Sequence, residues 1–172
     1  MDFLASAPSV DDIDITDQVA INHEECSICF EPLCIKQVGY FCDNRNKRIC
    51  RHYLHFECIS TIINNKACPI CRRAYHHVKE VSDPRVNAKK FFNDIDLDGN
   101  GKLSFEEITD GLKATLPLDF RNIDDDIASQ IRLTLDNVWF IFDLDGSGHI
   151  EMSEFVRPDG LADTIIATIE SL

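Results

Sequence analysis

A chain of 172 residues, 44% hydrophobic and 27% charged, has room for one ordinary domain or two small ones and is too polar for a membrane protein. Its 17 Lys and Arg against 30 Asp and Glu give a formal net charge of -13, which repels phosphate backbones and anionic lipid surfaces, so neither nucleic acid nor membrane is expected as a partner. The charge is uneven, -5 over residues 1–22, +4 over 23–79 and -12 over 80–172, and this predicts a short acidic tail ahead of two modules of opposite sign.

Residues 1–22 mix Ser, Pro and Asp with isolated apolar residues and keep no period, which predicts a flexible tail. The segment has no cationic start and only a short apolar run, so it is expected to be neither a secretory signal nor a membrane span. A cytoplasmic and/or nuclear location follows as an expectation. All eight cysteines lie between Cys26 and Cys71, and in a reducing compartment such a cluster reads as metal ligands before disulfides.

From residue 23 to 75 the chain is dense in Cys and His and too short to build a core unaided, which predicts a metal-stapled fold of loops, one hairpin and a short helix. The spacing is Cys26-x2-Cys29, then Cys50-x-His52-x2-His55-x2-Cys58, then Cys68-x2-Cys71, eight ligands for two tetrahedral zinc ions. Each x2 knuckle supplies only two donors, so remote pairs must combine to close a four-coordinate shell. A PHD-type arrangement would instead take Cys42 and Cys50 as its middle pair and leave His52 idle, and the spacing argues against it. Cys34 and Cys42 lack an activating partner and are expected as small buried residues of the hairpin, while His23, His76 and His77 are expected at the surface.

The runs CSIC, CRHYLHFEC and CPIC resemble the RING finger in its two-histidine form. That resemblance implies interleaved sites, with Cys26, Cys29, His55 and Cys58 on one structural zinc and Cys50, His52, Cys68 and Cys71 on the other. It also implies ubiquitin ligase activity, in which the finger holds a ubiquitin-charged conjugating enzyme ready for attack by a substrate lysine and forms no covalent intermediate of its own. Ile28 and Pro69 fall where the family presents apolar contacts to the conjugating enzyme, and Ile62 falls where many members place Trp, which implies a shallower groove. Arg72 matches the arginine whose forked donors bridge conjugating enzyme and ubiquitin. Taken singly these residues would serve as packing, a turn and a solvated charge, and it is their joint offsets from eight ligands that favour a ligase surface.

Residues 76–82 are expected to be a linker, and the stretch from Ala74 to Ser82 spans at most about 30 Å. A helix is predicted to start with Asp83 as cap and Pro84 in the first turn, with Ala88, Phe91, Phe92 and Ile95 on one face. A second, longer helix is expected to run from Asp124 through Val138, Trp139 and Phe142. After each comes a twelve-residue loop with oxygen donors at alternate positions, Gly at the sharp bend and a closing Glu. These are Asp96, Asp98, Asn100, Lys102 (through its carbonyl) and Glu107, then Asp143, Asp145, Ser147, His149 (through its carbonyl) and Glu154. A hard cation wants six to eight oxygens so arranged, and the pattern is that of the EF-hand, twice, for two calcium ions. Leu103 and Ile150 are expected to pair the loops. Pro158 and Gly160 should end the helix leaving the second loop, with Leu161, Ile165, Ile166 and Ile169 on a final helix that folds back onto the pair.

The sequence thus predicts a small zinc-stapled α+β RING finger at 23–75 followed by an all-α EF-hand pair at 83–172. Its expected partners are a ubiquitin-conjugating enzyme, ubiquitin and a protein substrate. The alternative function is a non-enzymatic zinc- and calcium-binding adaptor or sensor.

Overall fold

The computed structural model describes residues 25–62, 66–115 and 137–170. Strands β1 (Val38–Cys42) and β2 (Arg48–His55) form an antiparallel hairpin. Its turn is closed by Asp43, whose Oδ1 accepts from the amides of Arg45 and Lys47 at 2.8 Å, with Asn46 in the left-handed region at φ 66°. Helix α1 (Phe56–Thr61) follows β2 directly and covers β1. Gly39 permits that approach, since a Cβ there would sit 3.0 Å from the Phe56 ring and 3.1 Å from Ile59.

The segment expected to be a linker carries strand β3 (His77–Glu80), which pairs with β1 to give the sheet order β2-β1-β3. The ladder is extended at both ends by His76 N to Cys42 O at 2.8 Å and Val81 N to Val38 O at 3.0 Å. An open edge on β1 would leave its amides and carbonyls unpaired, and β3 removes that edge. All five residues of β1 are buried, as befits the central strand. Cys42 lies on it as expected, whereas Cys34 is half-buried in a 3-10 turn (Leu33–Ile35) that precedes the hairpin. His76 is exposed but His77 is half-buried.

Helix α2 (Pro84–Ile95) begins at Asp83, whose side chain accepts from Arg85 N at 2.8 Å. It is not one uninterrupted helix. Asn87 leaves helical geometry at φ -153° and ψ 88°, and its Oδ1 caps the following turn by accepting from Lys90 N at 2.9 Å. Helix α3 (Phe105–Thr115) packs on α2 where Gly111 meets Ile95. Helix α4 covers residues 137–142, α5 is Met152–Phe155, and α6 (Leu161–Glu170) folds back against α2 and α5. Phe91, Phe92 and Phe155 are fully buried together, each contributing about 1.5–3 kcal/mol by leaving water. The tail at 1–22, His23, and the stretch from Leu116 through Asp124 to Asp136 lie outside the described residues. No helix among the described residues is long and apolar enough to cross a membrane.

The two halves are docked. Asp94, buried near the end of α2, accepts from the Tyr40 hydroxyl at 2.8 Å and from Ser82 N at 2.8 Å. Arg51 makes a forked ion pair with Asp110 of α3, at 2.7 to 3.0 Å. The basic and acidic halves therefore meet through specific partners as well as through their opposite net charge.

Candidate metal centres

The first cysteine-histidine cluster joins Cys26 and Cys29, His55 at the end of β2 and Cys58 on α1, with ligand atoms all within 4.8 Å of one another. His55 is fully buried and its Nε2 donates to the Pro32 carbonyl at 2.9 Å. That bond leaves the Nδ1 lone pair facing Cys29 Sγ at 3.2 Å and Cys58 Sγ at 3.9 Å, the tautomer a metal ligand requires. The second cluster joins Cys50 and His52 of β2 to Cys68 and Cys71, again within 4.8 Å, with His52 Nδ1 3.6 Å from Cys68 Sγ.

The two knuckles are built alike. Cys26 N donates to Glu31 O and Cys68 N to Arg73 O, both at 2.9 Å, while Phe30 N and Arg72 N return to Cys26 O and Cys68 O at 2.8 Å. Phe30 and Arg72, each directly after the second cysteine, share a left-handed φ of 59°. Isolated bridges pair Glu25 with Pro32 and Ala67 with Ala74 at matching offsets. Each turn thereby presents two sulfur atoms to one point.

Thiols so crowded cannot all ionise freely. The hydrogen bond with Cys68, and then burial, push the Cys50 thiol up, while the same bond and His52 pull Cys68 down to about 4. Burial and then Cys29 push Cys58 up to about 12. A divalent cation relieves this repulsion, and three sulfurs with one imidazole are the soft donor set that suits zinc. A metal held by all four residues of a cluster would have a closed tetrahedral shell, the arrangement of a structural site. Cys42 belongs to neither cluster. Burial pushes its thiol up, and the structure gathers His52 where the PHD arrangement would need Cys42.

The residues singled out as a conjugating-enzyme surface are partly open. Ile28 and Ile62 are half-buried, Pro69 and Arg72 exposed. Phe30, the structural twin of Arg72, is 75% exposed and was not expected to matter, because nothing in the spacing marks it.

The other two clusters are carboxylates, Asp96, Asp98 and Glu107, then Asp143, Asp145 and Glu154. In each loop the closing Glu spans the turn, Glu107 accepting from Leu97 N and Ser104 N, Glu154 from Leu144 N and Glu151 N. Gly101 and Gly148 take φ 80° at the bend and donate to Asp96 and Asp143 at 2.9 and 2.8 Å. Burial raises Asp96, opposed by the amides of Gly101 and Gly99 and helped by the charge of Glu107. Asn100 Oδ1 accepts from Lys102 N and Ser147 Oγ donates to the His149 carbonyl. The loops meet in a two-stranded ladder, β4 (Lys102–Leu103) and β5 (Ile150–Glu151), with Leu103 opposite Ile150 and Lys102 ion-paired to Glu151 at 2.8 Å. The Lys102 side chain is thus directed to Glu151, and its carbonyl is the group its loop position would offer a cation.

An EF hand domain model matches residues 87–115, and a second EF hand model matches residues 141–157. No curated protein and no solved structure matches the chain. Both family matches fall on the two carboxylate loops and their flanking helices, so the C-terminal half carries a pair of calcium-binding EF-hands.

Proposed function

We propose that the protein is a RING-type ubiquitin ligase whose finger binds two structural zinc ions and whose EF-hands bind two calcium ions. The observation that carries the zinc reading is the interleaving of the knuckles, the first pair meeting His55 and Cys58, the second meeting Cys50 and His52. Zinc then supplies folding energy to the finger, and the chemistry of ubiquitin transfer is left to the surface around it.

Arg72 is the residue of that surface on which the ligase reading depends. It stands exposed directly after the last ligand, and its fork can donate to two partners at once. Ile28, Ile62 and Pro69 supply the apolar contacts to the conjugating enzyme. The finger's share of catalysis is orientation of the thioester-linked ubiquitin. The substrate is a protein lysine, and the setting is cytoplasm and/or nucleus.

The test is lysine-dependent discharge of ubiquitin from a panel of charged conjugating enzymes, using zinc-loaded full-length protein beside Arg72→Ala. Discharge that the variant loses supports the ligase. Absence of discharge with every enzyme of the panel supports the adaptor, which the half-buried aliphatic Ile62, in place of a large aromatic, favours.

A further inference from the structure

The guanidinium of Arg48 is buried, 8% exposed, and faces no carboxylate at hydrogen-bonding distance among the described residues. Its donors go to neutral oxygens instead. Nε donates to the Cys50 carbonyl at 3.0 Å, Nη2 to the Arg51 carbonyl at 3.0 Å, and Nη1 to the Tyr53 hydroxyl at 2.7 Å and the Asp94 carbonyl at 3.1 Å. The Tyr53 and Tyr40 rings flank the cation, 4.1 and 5.2 Å from its carbon.

Two of those oxygens are backbone carbonyls at the edges of different candidate metal sites. Cys50 is a member of the second cysteine-histidine cluster, and Asp94 lies two residues before Asp96, the first acid of the first calcium loop. The Asp94 carbonyl is one of the helix-end acceptors that α2 cannot satisfy internally, and a cation there also complements the helix dipole. The sites are neighbours as well. Leu97 and Asp98 of the loop line one cleft with Cys50, His52 and Cys71.

We infer that the second zinc cluster and the first calcium loop are thermodynamically linked through Arg48, each ion strengthening the hold on the other. An ion in the loop fixes Asp96 and with it the direction of the Asp94 carbonyl. An ion in the cluster fixes Cys50 and its carbonyl. Arg48 donates to both carbonyls at once, so an ion that steadies one end of this bridge lowers the ordering cost of binding the ion at the other end. By reciprocity calcium slows loss of zinc from Cys50, His52, Cys68 and Cys71, and zinc there raises calcium affinity by the same factor. The first zinc cluster and the second calcium loop have no such bridge among the described residues. The linkage rests on the metal reading proposed above and is independent of ligase activity.

The experiment uses zinc-loaded full-length protein treated with a mercurial thiol reagent and a chromogenic zinc indicator, with and without saturating calcium. The expected result is two zinc ions per chain, one released about fivefold or more slowly in calcium and the other unchanged. Glu107→Gln abolishes the effect and Glu154→Gln retains it. Arg48→Met holds two zinc ions and loses the effect, and Arg48→Lys, which keeps the charge without the fork, reduces it. Two zinc ions with calcium-insensitive release overturn the linkage and leave the metal reading standing. A chain that retains no zinc overturns both. A calcium effect that survives both arginine variants removes Arg48 from the linkage.

Discussion

The Tyr40 hydroxyl donates to Oδ1 of Asp94 at 2.8 Å, and both side chains are buried, so the central strand of the cysteine-rich half is tied to the helix that enters the first calcium loop. Asp94 Oδ2 takes Ser82 N at 2.8 Å and Lys90 Nζ at 3.1 Å, which leaves that carboxylate fully engaged between the two halves.

Tyr40→Phe keeps the ring and removes only the hydroxyl. Loss of a buried hydrogen bond to a charged acceptor costs about 2 kcal/mol. Denaturant unfolding at fixed zinc and calcium should show that loss as a lower midpoint with an unchanged slope. A variant as stable as the parent would mean that the bond does not hold the halves together.

The three tyrosines give a pH prediction. Burial raises all of them, and the nearby Asp94 charge raises Tyr40 further. Folded values above the ordinary value of about 10 mean that their contribution to stability is fully present below that pH and is lost as pH rises beyond it. Tyrosinate absorbance should therefore appear late and in step with loss of circular dichroism. Reversible ionisation of all three near pH 10, with the fold intact, would contradict this burial.

Gly111 is the point where α3 meets α2. A Cβ there would lie 2.6 Å from Ile95 Cγ2 and 3.1 Å from Ile95 Cβ. Gly111→Ala should destabilise by about 1–3 kcal/mol through overpacking, although alanine is the better helix former. A rise in thermal midpoint would show that the helices separate without strain.

Arg51 and Asp110 are 50% and 20% exposed at the side chain, so solvent screens their ion pair. A double-mutant cycle to alanine should return a coupling of about 0.5–1 kcal/mol at low salt that shrinks as salt is added. Coupling that is large and insensitive to salt would place this pair, rather than Tyr40 and Asp94, at the centre of the interface.

The ligand clusters were legible because metal chemistry imposes fixed offsets. Cys-x2-Cys, the two histidines three residues apart and the alternating acids of the calcium loops stand in the sequence as they stand in space. The contact between the halves was not legible. Tyr40, Arg48 and Asp94 lie 46 to 54 residues apart across it, and each alone reads as an ordinary strand or helix residue. Strand β3 reads as linker in the sequence because HVKE is short and mixed in polarity, and its partner edge on β1 exists only once the hairpin has formed. The restart of α2 at Asn87 was hidden by Asp83 and Pro84, which already signal a helix start four residues earlier. The Pro32 carbonyl that orients His55 is a backbone group, and no side-chain motif announces it.

One folded chain is expected to hold four ions of two kinds. Native mass spectrometry of full-length protein purified with zinc and calcium present measures it directly. The account predicts two zinc and two calcium ions. It further predicts loss of one calcium in Glu107→Gln and of one zinc in Cys68→Ser, and unfolding of the cysteine-rich half when zinc is stripped. A folded chain that carries calcium but no zinc, with its thiols reduced, would contradict it.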